Sequence, residues 1–418
     1  MKKAKIETKT ILNIILFMYL LGAFVCNSGK GFDWLFSRAS FVVLIIAAFI
    51  LRKRNVVTGL LKMALIFWGY YFLSMIWASD YRDTISQINS AIKILGLFLY
   101  IPLIIEDRKD IEKVLKTIIS ALIVTCIIVL IKTPLEQYGS SRLGNIVGLN
   151  RNRLGMITAS GFLFSLYFIK EIFVKKEIVE NKQKEIKNVI IYILFAVLFL
   201  SIALLTGSRK ALLLAILGYA FFEFLTMNRK NFPRKIMIML AFFTIVFIAI
   251  FAVPQVYKAL GVRIIKNIQM ITGTLEDRST DTSLQARNFF ISKAIILFKE
   301  NPILGYGGNN FITYMREIEH KNQAYSHNNF WELLSTLGII GFVIYYGFWL
   351  SVIYKNIKIY KKTKDRLTLI ILINLILLVF LDYWVVSYIL DFNAIILALG
   401  YLNILIYEKE KVIKHFRI

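Results

Sequence analysis

Segmentation is the feature that most constrains this chain. Apolar runs of roughly 16–23 residues alternate with short charged clusters from one end to the other, and that is the length a helix needs to cross a bilayer. Of the 418 residues 58% are hydrophobic and only 18% charged, too few polar groups for a water-facing surface of that size. In hydrocarbon every backbone amide needs an internal partner, so such runs must be helical. Spans are expected near 11–26, 37–51, 60–78, 91–105, 114–131, 153–173, 189–206, 211–227, 236–253, 329–354, 367–383 and 388–407. The fold class is therefore all-α: a single polytopic membrane domain over 1–418, with about 12 transmembrane helices.

The start, MKKAKIETKT, leads into ILNIILFMYLLGAFVC with no small-residue cleavage site, so it reads as the first span rather than a cleaved signal. Cys26 and Cys126 both fall in apolar runs and read as core residues rather than a disulfide.

The net charge of +25 invites a nucleic-acid partner, but its distribution argues against one. KKAK, RKRN, EDRKDIEK, KKEIVENKQKEIK, NRKNFPRK, KNIKIYKKTK and the EKEKVIKHFR tail hold over half of the 51 Lys and Arg residues. Placed on one side, they put both termini and the short loops in the cytoplasm, as the positive-inside rule expects. The opposite side then receives 132–152, the tight TGSRK turn at 206–210 and the long loop 254–328, between spans 9 and 10.

A loop of 75 residues is too long for an idle connection. Asp281, Thr282 and Ser283 offer N-cap oxygens, and Ala286, Phe290, Ala294 and Leu297 then share one helical face. Asn301-Pro302 ends that helix, and Gly305, Gly307 and Gly308 permit a sharp turn. The segment is expected to be a partly helical, extracytoplasmic cap lying on the membrane.

Arg209 stands in TGSRK, on the side where the charge bias disfavours arginine. It is either a snorkelling helix-end residue or a bidentate grip for phosphate. Arg287, on the loop helix, is either solvent-exposed or tipped under the cap. Arg142, Arg151 and Arg153 cluster in SRLGNIVGLNRNRLGM, as span anchors or as further anion ligands. His327 stands where the loop re-enters the membrane, followed by Asn328; it is a structural interface histidine or a general base. Glu332, one turn deeper, is an ionisable group inside a span, and its plainer role is to pair with a nearby arginine. Asp382 and Asp391 read as turn caps in the last hairpin. Asp80 with Asp83, or Glu317 with Glu319, would meet a cation only by chance of folding, so no metal site is expected.

TGSRK between two spans, the Arg-bearing loop helix leading to NPILGYGGNNF, and HNNFWELLSTLGIIGF together resemble the O-antigen ligase and O-antigen polymerase superfamily, over roughly 140–350. The resemblance implies a membrane glycosyltransferase on the outer face of the bacterial cytoplasmic membrane, with no cofactor. Its donor would be an undecaprenyl-pyrophosphate-linked oligosaccharide. A hydroxyl of a glycan or lipid-core acceptor would displace the lipid pyrophosphate, with membrane lipids and a chain-length regulator as further partners. By motif, Arg209 and Arg287 would hold the pyrophosphate, and His327 would orient or deprotonate the acceptor. Arg142, Arg151, Arg153, Asn328 and Glu332 are the substrate-binding candidates. Polymerisation of repeat units is the preferred reading, ligation to a lipid core or protein the alternative. A flippase for the same lipid-linked glycan is the rival from another class.

Overall fold

The computed structural model describes residues 2–25, 31–51, 58–138, 143–175, 182–227, 232–272, 282–320 and 325–415. Among them there are helices and no strand. In chain order these are α1 (Lys2–Phe24), α2 (Gly31–Leu51), α3 (Gly59–Leu73), α4 (Tyr81–Ile85), α5 (Ile88–Ile104) and α6 (Arg108–Lys132). There follow α7 (Arg151–Lys175), α8 (Lys182–Leu205), α9 (Arg209–Leu225) and α10 (Phe232–Ala252). The long loop holds α11 (Pro254–Val256), α12 (Val262–Ile271), α13 (Thr282–Glu300) and α14 (Phe311–Glu317). The last three are α15 (Asn329–Thr363), α16 (Arg366–Leu381) and α17 (Asp391–His415).

Ten helices among the described residues are long and apolar enough to cross a membrane, which makes this an all-α, multi-pass membrane protein. Each of the twelve expected spans coincides with a helix, but two fall short of that standard. The described apolar part of α1 is Thr8–Phe24. Helix α9 has 17 residues, opens on Arg209 and Lys210, and carries Glu223 near its end. Cys126 is buried and free of any disulfide; Cys26 lies outside the described residues.

The helices cluster into two compact units, the first formed by 1–46, 107–275 and 364–374, the second by 47–106, 276–363 and 375–418. The loop 254–328 is shared out accordingly.

In the first unit α7 packs along both α8 and α9, and α1 along α6. Asp107 starts α6 by accepting a hydrogen bond from the Asp110 amide at 3.0 Å, and Ser208 caps α9. Ion pairs gather at one end of this bundle: Arg366 with Glu171 at 3.0 Å, Lys170 with Glu223 at 2.7 Å, and Arg108 with Asp365. These are the helix ends that join the charge-rich connections. The TGSRK turn is at the opposite ends of α8 and α9.

In the second unit α3, α5, α17 and α15 form a closed ring of neighbours, and α13 lies along α15. The aromatic rings of Phe67, Trp68, Tyr71, Tyr345 and Tyr388 interlock within it at centroid distances of 5.1–6.4 Å. Helix α15 is broken at Gly338 (φ 63°, ψ −168°). The break releases the carbonyls of Ser335 and Thr336 and the amides of Ile339 and Ile340 from their helical partners. The loop after Pro302 takes their place. Tyr306 and Gly307 amides donate to the Ser335 and Thr336 carbonyls at 3.0 and 2.8 Å, and Ile339 donates to the Pro302 carbonyl at 2.9 Å. Backbone that leaves the helix inside a membrane protein must be repaired in this way.

The same loop is tied to the turn between α3 and α5. Gly308 donates to Ser74 Oγ at 2.7 Å, Asp80 N–H to Asn310 Oδ1 at 2.7 Å, and Thr84 Oγ1 to the Gly308 carbonyl at 2.7 Å. Arg316 bridges Asp83 at 3.1 Å and Asp80 at 3.5 Å. Neither aspartate is thus a vacant cation ligand. Phe290, Ala294 and Leu297 of α13 bury against Phe311 and Met315 of α14, with Ala286 at the margin, as the expected helical face requires.

Candidate functional site

The second unit collects Arg287, Tyr325, His327, Asn328 and Glu332 around the start of α15. His327 has φ +61°, a left-handed conformation that costs a residue with a Cβ on the order of 1–3 kcal/mol. Such strain persists only where the surroundings fix it, and both neighbours are fixed. Ser326 N–H donates to the Glu332 carboxylate at 2.7 Å, and Ser326 Oγ donates to the Asn328 carbonyl at 2.8 Å. Asn328 Oδ1 accepts from the Phe330 and Trp331 amides at 2.9 and 3.1 Å, an N-cap. Glu332, buried in the bundle, therefore pairs with a backbone amide and not with an arginine.

The His327 ring lies 4.3 Å from that of Tyr325 and 5.6 Å from that of Phe290, centroid to centroid. Phe290 is one turn beyond Arg287 on α13, so the amphipathic face of α13 is what brings the arginine here. Burial raises the Tyr325 phenol above its ordinary acidity range, and the Arg287 charge pulls it back part of the way. Arg287 and His327 are both half-buried. Asn328 Nδ2 is buried without a hydrogen-bond partner among the described residues. An orphaned buried donor beside a histidine is suited to meet a ligand oxygen.

The first unit holds a separate basic cluster. Thr206–Gly207–Ser208 turns sharply, with φ +63° at Gly207, and delivers Arg209 as the first residue of α9. Helix α7 approaches so closely that a Cβ on Gly155 would lie 2.7 Å from Thr206 Oγ1 and 2.8 Å from Ala211 Cβ. Arg151 and Arg153, in the first turn of α7, therefore share this end of the bundle with Arg209. Arg263 of α12 donates to the Gly207 carbonyl at 3.2 Å and adds a fourth guanidinium. Sequence reasoning passed over Arg263, although VRIIKNIQMI alternates basic and apolar residues at helical spacing. It also passed over Tyr325 and Asn329. Arg142 lies outside the described residues.

Fold and sites define a multi-pass membrane protein with arginine-rich clusters at helix starts and a histidine at a re-entering helix. Residues 194–346 match the family model for O-antigen ligase, a match that supports the O-antigen ligase/polymerase superfamily for that segment. The match spans the TGSRK turn, the long loop and the broken first half of α15. Members of that superfamily are glycosyltransferase-like ligases and polymerases. Among curated proteins no relative matches the chain.

Proposed function

We propose that this protein polymerises a surface polysaccharide from undecaprenyl-pyrophosphate-linked repeat units, at the outer face of the cytoplasmic membrane. The observation that carries the reading is the strained His327 turn at the start of α15, where the His327 ring packs on Tyr325 and on Phe290 of the helix that bears Arg287. A lipid pyrophosphate leaving group needs cations, and a guanidinium gives each phosphate charge-assisted, bidentate hydrogen bonds. In this reading Arg287 binds the pyrophosphate, and His327 orients the acceptor hydroxyl or takes its proton. Asn328 Nδ2 binds a substrate oxygen. The Arg209, Arg151, Arg153 and Arg263 cluster of the first unit binds anionic groups of the lipid-linked substrates. No metal is required, because the arginines neutralise the leaving group.

Purified full chain given a lipid-linked repeat unit should produce a ladder of longer glycans with EDTA present. A ladder that needs added divalent cation removes the metal-free mechanism. Full activity in both Arg287→Ala and His327→Ala removes the site. The acceptor is read from a deletion strain: single repeats on the acceptor mean polymerase, whereas lipid-linked polymer with nothing transferred means ligase. Movement of lipid-linked glycan in sealed vesicles without bond formation would favour a flippase.

A further inference from the structure

Asp382 was expected to cap the last hairpin, but its side chain turns elsewhere. It is 3% exposed and sits at the end of α16, where an ionisable group inside a span needs a named partner. Tyr346 Oη donates to Asp382 Oδ2 at 2.8 Å, and Asn329 Nδ2 donates to the same oxygen at 3.2 Å. Asn329 Nδ2 also reaches Tyr346 Oη at 2.7 Å, closing a triangle. On its other side, Asn329 Oδ1 accepts from the Ser387 and Tyr388 amides at 2.9 and 3.2 Å. Every polar atom of the Asn329 side chain is thereby used, and all of these groups are buried.

Asn329 is two residues from His327. The strained histidine backbone thus has one anchor before it, Ser326 held by Glu332, and one after it, Asn329 held by Asp382 and Tyr346. A buried polar network in which the Asn329 side chain has every polar atom paired fixes one geometry where apolar packing would tolerate several.

From this geometry we infer that Asp382, acting with Tyr346 through Asn329, is the positioning residue of the His327–Asn328 turn. The inference deepens the glycosyltransferase reading and rests on it for its catalytic consequence. Displacing reacting groups by a fraction of their spacing lowers turnover without removing the binding groups.

The test compares full chain carrying Asp382→Leu, Asp382→Asn or Tyr346→Phe with the parent. Tyr346→Phe keeps the ring that stacks on Phe330 at 4.7 Å, so it reports on the hydroxyl even if Asp382→Leu fails to fold. Transfer per folded molecule should fall roughly 10- to 100-fold in kcat for Asp382→Leu, with KM for the lipid-linked donor nearly unchanged. Asp382→Asn, whose amide oxygen still accepts from Tyr346, should recover part of the loss. Hydrogen exchange at the 325–333 amides should quicken in Tyr346→Phe and Asp382→Leu. Unchanged kcat, or a loss confined to KM, overturns the inference. So does unchanged exchange over 325–333, whether or not the parent transfers sugar. If the parent forms no glycosidic bond yet exchange responds, the clamp stands and the glycosyltransferase reading falls.

Discussion

A Cβ placed on Gly338 would lie 2.1 Å from the carbonyl oxygen of Ile303. No rotamer relieves that contact, because both partners are backbone. The Gly338 conformation also belongs to a region of φ and ψ that is essentially confined to glycine. Gly338→Ala should therefore cost about 3–5 kcal/mol, as strain and as displacement of the loop after Pro302. Gly347, further along the same helix, has nothing within 4 Å of a built Cβ. Gly347→Ala should be neutral, or stabilising by up to about 1 kcal/mol. Thermal unfolding in detergent separates the two, and equal melting temperatures would show that the broken helix is not held as described.

His327 carries strain and the proposed chemistry at once. Glycine adopts φ +61° freely, so His327→Gly should match or exceed the parent in stability, by about 1 kcal/mol. It should nevertheless lose transfer activity. His327→Ala should lose activity while keeping the strain. A His327→Gly protein that melts well below the parent would mean that the ring packing on Tyr325 outweighs the backbone term.

Arg287 bears on Tyr325, and the sign of that influence can be measured. A nearby positive charge favours the phenolate, so removing it should raise the Tyr325 pKa further. Difference absorbance titration of Arg287→Ala, with and without Tyr325→Phe, isolates the one tyrosine. The same Arg287→Ala substitution should slow transfer by roughly 100- to 1000-fold, with Arg287→Lys recovering little because it lacks the planar fork. A downward shift of Tyr325 in Arg287→Ala would place the guanidinium elsewhere.

The bundle was legible because bilayer thickness leaves its period in the sequence, and twelve apolar runs became twelve helices. The cap helix was legible too, since Ala286, Phe290, Ala294 and Leu297 repeat at helical spacing. What stayed hidden depends on long-range pairing. Asn329 looks like any polar residue at a helix start, and its meaning comes from Asp382, Ser387 and Tyr388, more than fifty positions away. The break at Gly338 was hidden for the same reason. LSTLGIIGF reads as continuous helix until the Ile303 carbonyl is brought against it. The tie between Glu332 and the Ser326 amide was hidden too, because a carboxylate that turns back to a backbone amide leaves no charge pattern.

The staple between Arg316 and the α3–α5 turn gives a pH signature. Hydrogen bonds from Arg82, first, and then the charges of Arg82 and Arg316 hold the Asp80 carboxyl below its ordinary value of 3.8. A carboxyl with a depressed folded pKa contributes its full stabilisation above the unfolded value and loses it as pH falls through the folded one. Asp80→Asn keeps the side-chain oxygen that caps Arg82 N–H at 2.9 Å and removes only the charge. The parent should therefore melt slightly above Asp80→Asn at about pH 6, and the gap should close as pH falls below about 4. Because the pair is solvent-screened, the gap should also shrink in high salt. A gap that widens on acidification would mean that Asp80 is held by something other than its arginines.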